Sequence, residues 1–81
     1  MNIECHVISA KNIGWEDNLG DGTYDYYFFP TSKYSELDVV SLFTPVQKTT
    51  QRGYPYTAYE YQGKTYYEII HTIDTVDESY V

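Results

Sequence analysis

The closing third of the chain runs from Tyr54 to Tyr80 and reads YPYTAYEYQGKTYYEIIHTIDTVDESY. It contains seven of the eleven tyrosines in the protein, together with five acidic residues and a single base, Lys64. Aromatic and β-branched residues favour strands, and Gly63 supplies a turn between the two tyrosine-rich halves. The pattern therefore predicts an antiparallel hairpin with an acidic surface of its own.

The register of this hairpin depends on its loop length. A three-residue loop, Gln62 to Lys64, separates the acids from the larger apolar set, and we prefer it over a two-residue turn for that reason. A slip of one residue would send every side chain of one strand to the opposite face. With the three-residue loop, one face carries Tyr59, Tyr61, Tyr67, Ile69, His71 and Ile73, and the other carries Tyr56, Ala58, Glu60, Tyr66, Glu68, Ile70, Thr72 and Asp74.

Two more strands are predicted nearer the N-terminus. Residues 2 to 9 alternate with the period of a half-buried strand, and Ile3, Cys5 and Val7 form its apolar face. Residues 24 to 30, YDYYFFP, are rich in aromatic strand formers and end at a proline, which suits an edge strand. The glycine-rich residues between them, 10 to 23, are predicted to form a loop.

The spacing changes to that of a helix between residues 32 and 43. Leu37, Val40 and Phe43 recur at intervals of three, and Ser35 is placed as the N-cap. Pro45 ends the helix, and residues 46 to 53 read as a polar connection. The sequence thus predicts a single domain, residues 1–81, of the α+β class, with a small antiparallel four-stranded sheet and one short helix in the order ββαββ.

The charge of the protein narrows the choice of partner. Twelve acids and five bases give a formal net charge of −7 over 81 residues. Nucleic acids and anionic membranes are themselves polyanions, so direct binding to either is disfavoured and a basic protein is the favoured partner. The same charge is also compatible with a purely solubilising role.

The single cysteine, Cys5, excludes an internal disulfide and a cysteine-based zinc site. We expect a cytoplasmic protein, because no signal sequence or membrane-spanning apolar run is present.

No motif identifies a reaction, a metal or a cofactor, so a non-enzymatic protein without a cofactor is predicted. The loop from Asp17 to Phe28 matches a calcium loop only at Asp17, Asp21 and Gly22 and lacks its closing bidentate acid. His71 with Glu68 or Asp74 is the one candidate catalytic group, and we rank a hydrolase or metal-binding domain third among the functions.

Acids and tyrosines together are typical of a protein interface, because nucleic-acid modules pair their aromatic residues with bases instead. Acids along one strand face lie roughly 7 Å apart, a spacing comparable to that of nucleic-acid phosphates. The predicted partner-binding face comprises Glu60, Glu68, Asp74, Asp77 and Glu78 with Tyr56 and Tyr66, and a second candidate comprises Glu16, Asp17, Asp21 and Asp25.

In size and acidity the chain resembles the small inhibitors with which bacteriophages and mobile elements block host defence, including anti-CRISPR and anti-restriction proteins that mimic nucleic acid. This resemblance implies an inhibitor of a basic nucleic-acid-handling protein, and a location in the cytoplasm of the host cell if the protein is phage-encoded. The alternative is a structural or assembly subunit that forms homo-oligomers through its tyrosine-rich strands.

Overall fold

The fold is an antiparallel sheet with one short helix, seen in a computed structural model that describes residues 1–12 and 22–81. Its five strands have the spatial order β2-β1-β5-β4-β3 and curl into a half-barrel. The predicted class is confirmed, but the prediction of four strands is wrong. The elements are β1 (Asn2–Asn12), β2 (Tyr24–Pro30), α1 (Glu36–Leu42), β3 (Thr44–Thr49), β4 (Pro55–Tyr61), β5 (Lys64–Asp77) and a final 3-10 turn, Glu78–Tyr80.

The additional strand is β3, which occupies the first half of the predicted polar connection. It pairs with β4 from Thr44 opposite Glu60 to Thr49 opposite Pro55. Threonine and valine favour extended backbone, and Pro45 is tolerated because β3 is an edge strand with one side free of ladder hydrogen bonds. The polar composition of this segment reflects its exposure and not the absence of regular structure.

The helix begins and ends close to the predicted positions. Ser35 is its N-cap, and a reciprocal capping box joins the Ser35 side chain to the Asp38 amide and the Asp38 carboxylate to the Ser35 amide. The predicted apolar stripe is only partly correct: Phe43 is buried, but Leu37 and Val40 are exposed, and Val39 is buried instead. With seven residues, α1 presents only one narrow stripe to the sheet.

The closing hairpin turns through two residues and not three. Tyr61 lies opposite Lys64, and the turn residues Gln62 and Gly63 have φ values of 50° and 78°. Positive φ at both positions is the requirement of a type I′ turn, whose twist matches that of the flanking strands. The preferred register is therefore wrong at the turn.

A β-bulge further along β5 partly restores the predicted arrangement. Opposite β1, Lys11 pairs with Glu68 whereas Asn12 pairs with Tyr66, which leaves Tyr67 as an extra residue. Because of this bulge, Tyr66 lies on the same side as Ile69 and His71.

The core lies between α1 and one face of the sheet, which we call the covered face. Its buried residues are contributed by β1, β2, β5, α1 and the residue that follows α1. They are Ile8, Ala10, Phe29, Val39, Phe43 and Tyr66, and Tyr27, Tyr59, Tyr61 and Ile69 pack against them. On β1 the core side is therefore formed by even-numbered residues, and not by the predicted Ile3, Cys5 and Val7 set, although Cys5 is also buried.

Strands β3 and β4 separate from the rest of the sheet at one end. The β4–β5 ladder extends only from Tyr61 opposite Lys64 to Tyr59 opposite Tyr66. Residues 46–58, which we call the arm, are joined by ladder pairing within β3 and β4 alone. The arm contains Lys48 and Arg52 and no acid, so it carries +2 within a chain of −7, and the remaining residues carry −9.

Candidate binding face

The face of the sheet opposite the core is not covered by α1, and we call it the open face. Directly opposed residues in antiparallel strands project to the same side. Ser9 lies opposite Tyr26 on β2 and Ile70 on β5, and Lys11 lies opposite Tyr24 and Glu68. The ladder therefore places tyrosines, an isoleucine and an acid on one surface built from three strands.

Large side chains on this face are accessible to solvent. Tyr26 is 60% exposed, and Tyr24 and Ile70 are also exposed. The Tyr24 and Tyr26 rings contact each other in a tilted arrangement, with their centroids 6.5 Å apart. Tyrosine combines a large ring with few rotatable bonds, so a pair of this kind suits a protein interface.

Lys11 is the one base that strands β1, β2 and β5 contribute to the open face, and it is held by tyrosine rings. Its Nζ lies 5.3 Å from the centroid of the Tyr24 ring and 5.6 Å from that of Tyr67. A side-chain hydrogen bond with Tyr67 raises the pKa of Lys11, against a smaller opposing effect of desolvation, and the charge of Glu68 raises it further. The bulge residue Tyr67 thus serves the open face, contrary to its predicted core position.

The C-terminal residues limit the open face at one end. The Tyr80 ring packs against Phe28, with 5.9 Å between their centroids, and the Glu78 amide donates to the Met1 carbonyl at 2.9 Å. Asp77 caps the final turn by accepting from the Ser79 amide, and this backbone hydrogen bond lowers the pKa of Asp77. The accessible part of the face therefore lies toward Tyr24, Tyr26, Glu68 and Ile70, and Asp74 is also exposed along its β5 side.

The structure brings together only some of the predicted partner-binding residues. Glu68 and Asp74 do share the open face, opposite Lys11 and Cys5 respectively. Glu60, Asp77 and Glu78 are also exposed. Glu60 projects away from the core from β4, opposite Thr65, and the other two lie where β5 ends. Of the predicted second site, Glu16, Asp17 and Asp21 lie outside the described residues.

The two tyrosines predicted as aromatic anchors, Tyr56 and Tyr66, differ in how deeply they are buried. Tyr66 is fully buried, so its assignment as an exposed anchor is wrong, because the two-residue turn directs it into the core. Tyr56 is half-buried in the arm, opposite Lys48. The exposed tyrosines of the open face are instead Tyr24 and Tyr26, which the sequence placed correctly in β2 without indicating their side. Along β2, Tyr24 and Tyr26 alternate with Tyr27, and this alternation was the signal that Tyr24 and Tyr26 lie on the face opposite Tyr27.

Asp25 belongs to a polar cluster at the edge of the core and not to an acidic surface. The Tyr66 hydroxyl donates to Asp25 Oδ2 at 3.0 Å and is also hydrogen-bonded to the Tyr27 hydroxyl. Lys64 Nζ lies 3.6 Å from the same oxygen, and Asn12 Nδ2 lies 3.5 Å from it.

The protonation of this cluster follows from its contacts. Desolvation acts to raise the pKa of Asp25, but the hydrogen bonds from Tyr66 and Asn12 and the charge of Lys64 outweigh it, so the pKa is lowered. Burial, and then the contacts with Tyr27 and Asp25, raise the pKa of Tyr66 far above its usual range. The cluster therefore holds a carboxylate and a protonated phenol, and it joins β2 to β5.

The two histidines form a second polar cluster on the covered face. His6 Nε2 lies 3.1 Å from the Tyr34 carbonyl, so that nitrogen donates, and His6 Nδ1 lies 3.0 Å from His71 Nε2. In a neutral pair His71 Nε2 is then the donor to His6 Nδ1. His71 Nδ1 lies 3.8 Å from Glu36 Oε1.

The predicted catalytic group is not assembled. His71 lies opposite Ile8 on the covered face, whereas Glu68 and Asp74 project from the open face. Burial raises the pKa of Cys5, which favours its protonated thiol over a reactive thiolate. Among residues 1–12 and 22–81, no group of three or more His, Cys, Asp or Glu side chains is arranged to hold a metal ion.

No helix in the described part of the chain has the length and apolarity needed to cross a membrane. No protein-family model, curated protein or solved structure matches this sequence and fold.

Proposed function

We propose that this protein is a non-enzymatic inhibitor that binds a basic, nucleic-acid-handling protein. The open face is the binding surface, with Glu68 and Asp74 as its charged contacts and Tyr24 and Tyr26 as its aromatic anchors. Partner binding at this face competes with the nucleic acid that the partner normally holds. Inhibitors of this type include the small acidic anti-CRISPR and anti-restriction proteins of bacteriophages and mobile elements.

The observation that carries the proposal is the large number of carboxylates without an internal counter-charge. Eight acidic residues of the described part of the chain are exposed, and within that part the only ion pair between a carboxylate and a Lys or Arg is Asp25 with Lys64. An acid that already pairs within its own chain contributes little to a partner, whereas an unpaired one steers a basic partner and sets the registry of the complex.

The tyrosines supply binding affinity that surface charges alone do not. Surface ion pairs are worth little individually because salt and water screen them. Interface affinity is instead concentrated in a few rings that become fully desolvated, and Tyr is among the residues most enriched there. Tyr24 and Tyr26 share the open face with Glu68, with strand β1 between them, and this arrangement supports an interface in which rings provide affinity and carboxylates provide specificity.

The test is a capture experiment from a bacterial lysate with three immobilised forms of the protein. The wild type is compared with Glu68→Lys/Asp74→Lys and with Glu4→Lys/Glu36→Lys, a control that makes the same charge change at exposed positions away from the open face. We expect the open-face variant to bind the captured protein at least about tenfold more weakly, and the control to bind nearly as the wild type does.

The captured protein is then mixed with labelled DNA or RNA in the presence of increasing amounts of the wild type. Release of the nucleic acid is expected of an inhibitor. Equal weakening in both charge-reversed variants would mean that only net charge matters, and capture of a protein that keeps its nucleic acid would contradict the inhibitor assignment.

A second function, assembly into homo-oligomers, is favoured by a different observation. The arm carries +2 and the rest of the chain −9, so the arm of one copy is complementary in charge to the body of another. Sedimentation of the wild type and of Lys48→Glu/Arg52→Glu separates the two functions. A defined oligomer that the arm variant dissociates would support assembly, and a monomer in both cases would support the inhibitor.

A further inference from the structure

Strand β5 is paired along its full length on one side only. On that side it follows β1 from Asn12 opposite Tyr66 to Asn2 opposite Asp77. On the other side β4 accompanies it only as far as Tyr66. From residue 67 to residue 77, therefore, the outer edge of β5 has no strand beside it in the described structure.

Beyond the bulge at Tyr67, this edge has few of the features by which proteins protect an unpaired strand. Natural edges are blunted by lysines, prolines, bulges or short length. The outer edge of β5 is eleven residues long, and no Lys, Arg or Pro occurs in residues 65–81. Ile70 is 47% exposed on the open face and Ile73 is 57% exposed on the other face, so aliphatic side chains border the edge on both sides.

The charge of the residues beside this edge indicates which kind of segment can pair with it. Residues 65–81 contain four acids and no Lys or Arg. A second copy pairing through the same edge would bring four more acids against these, and like charges on opposed strands destabilise a sheet. The edge is therefore disfavoured for self-pairing and favourable for an extended segment that carries basic residues.

We propose that a basic, extended segment of the partner adds to the outer edge of β5 as a sixth strand. This inference rests on the proposed function and specifies how the partner is held. In strand addition, main-chain hydrogen bonds supply affinity and alternate side chains supply specificity. Glu68 and Asp74 lie six residues apart on one face, so the segment carries Lys or Arg at the first and seventh positions of a seven-residue stretch, with aliphatic residues beside Ile70 and Ile73.

The probe is a synthetic ten-residue peptide that contains such a stretch. Its binding is measured by fluorescence anisotropy, against a scrambled peptide of the same composition. Two further peptides carry backbone N-methyl groups, one at the amides that face β5 and one at the alternate amides that face away. We expect the parent and the outward-methylated peptide to bind alike, and inward methylation to weaken binding at least about tenfold, because it removes ladder donors while leaving every charge in place.

Variants of the protein test the same edge. Ile73→Lys places a base at the exposed border of β5, and Leu37→Lys, at an exposed position of α1, is the matched control. We expect Ile73→Lys to weaken peptide binding about tenfold and Leu37→Lys to leave it within about twofold. Amide protection from hydrogen exchange should increase for residues 67–77 when the parent peptide binds.

Several outcomes would overturn the inference while leaving the proposed function intact. Equal binding of both N-methylated peptides, or of the scrambled peptide, would mean that charge and not strand addition holds the segment. Capture of a basic protein that Ile73→Lys does not weaken would place the contact on the open face alone. A wild-type dimer that Ile73→Lys converts to a monomer would make a second copy the occupant of the edge. If no basic protein is captured at all, the proposed function itself fails.

Discussion

The two faces of strands β1, β2 and β5 are built from alternating residues of the same three segments, yet they differ in what their polar groups do. On the covered face, His6, His71, Asp25 and Tyr66 are joined to one another or to neighbouring groups by hydrogen bonds. On the open face, Tyr24 and Tyr26 are exposed, and Glu68 has only Lys11 opposite it. The polar groups of the covered face hold the strands together, whereas those of the open face are accessible to a partner.

This difference follows from the cost of burying polar groups. An unsatisfied donor or acceptor in a core costs about 1 to 3 kcal/mol, so a tyrosine or histidine is retained there only with a partner. In the described residues no buried side-chain nitrogen or oxygen lacks a partner. Exposed groups are satisfied by water and can exchange it for a binding partner. The contrast predicts that substitutions on the covered face affect stability, whereas those on the open face affect binding.

The largest effect is expected at the buried tyrosine. Tyr66→Ala removes a fully buried ring and leaves Asp25 and Tyr27 without their shared partner, so we expect a loss of about 4 kcal/mol or more in unfolding free energy. Tyr26→Ala, on the open face, should change it by less than about 0.5 kcal/mol. Urea denaturation followed by circular dichroism measures both. A similar loss in the two variants would contradict the division between the faces.

Because Tyr66→Ala leaves little of the stability of a small domain, Tyr66→Phe provides a milder version. It keeps the ring and removes only the hydroxyl that bonds to Asp25 and Tyr27.

A smaller loss is expected for His6→Ala. The substitution leaves His71 Nε2 and the Tyr34 carbonyl without the contacts they make to His6, and we expect a cost of about 2 to 3 kcal/mol. Ser9→Ala on the same strand is the control, because Ser9 belongs to the open face, and its effect should remain within about 0.5 kcal/mol. Thermal or urea unfolding of the pair gives the comparison, and equal stability of the two variants would argue against a structural role for the histidine pair.

Acidification should lower the stability of the fold through protonation of Asp25. The folded state lowers the pKa of this carboxyl, so its contribution to stability is present above the usual Asp pKa of about 3.9 and is lost as the pH falls through the lower folded value. The lowered pKa values of Asp38 and Asp77 act in the same direction. We expect the unfolding free energy of the wild type to decline below about pH 4, and Asp25→Asn to make that decline shallower. An unchanged slope in Asp25→Asn would mean that Asp25 does not contribute.

The smallest effect is expected at Lys11. Its ammonium group is the base nearest Glu68 on the open face, and it reduces the negative potential there. Lys11→Gln should therefore raise the affinity for a basic partner by about two- to threefold at low salt, with the difference disappearing at high salt. Titration calorimetry at two salt concentrations measures this. Weaker binding by Lys11→Gln would indicate that Lys11 contacts the partner directly or holds Tyr24 and Tyr67 in place.

Several elements were predictable because their signals are local. The aromatic run of β2 ends at Pro30, where the strand ends, and the strand is an edge strand as the proline indicated. The Ser35 cap of α1 was predicted from one residue and its following acids, and the structure contains the complete capping box. The capping interactions lie within three residues of Ser35, and Pro30 limits its strand through its own missing amide hydrogen.

The strand β3 was missed because its identity depends on a distant partner. Its composition is polar, and only pairing with β4 makes it extended and regular. The candidate site was affected in the same way. The sequence indicated acids and tyrosines as the binding groups, and Glu68 and Asp74 do share a face. Tyr66, however, lies in the core and Tyr67 on the open face, the reverse of their predicted positions.

The sequence by itself determined the acidic charge, the tyrosine-rich closing hairpin, the capped helix and the antiparallel character of the fold. Only the tertiary structure decided which tyrosines are buried. That decision depends on a two-residue turn at Gln62 and Gly63 and on the extra residue Tyr67, which together set the side to which each β5 residue projects. Side chains in a strand alternate with a period of two, so one residue placed in the bulge and not in the turn exchanges Tyr66 for Tyr67 while leaving Ile69, His71 and Ile73 where the pattern predicted them.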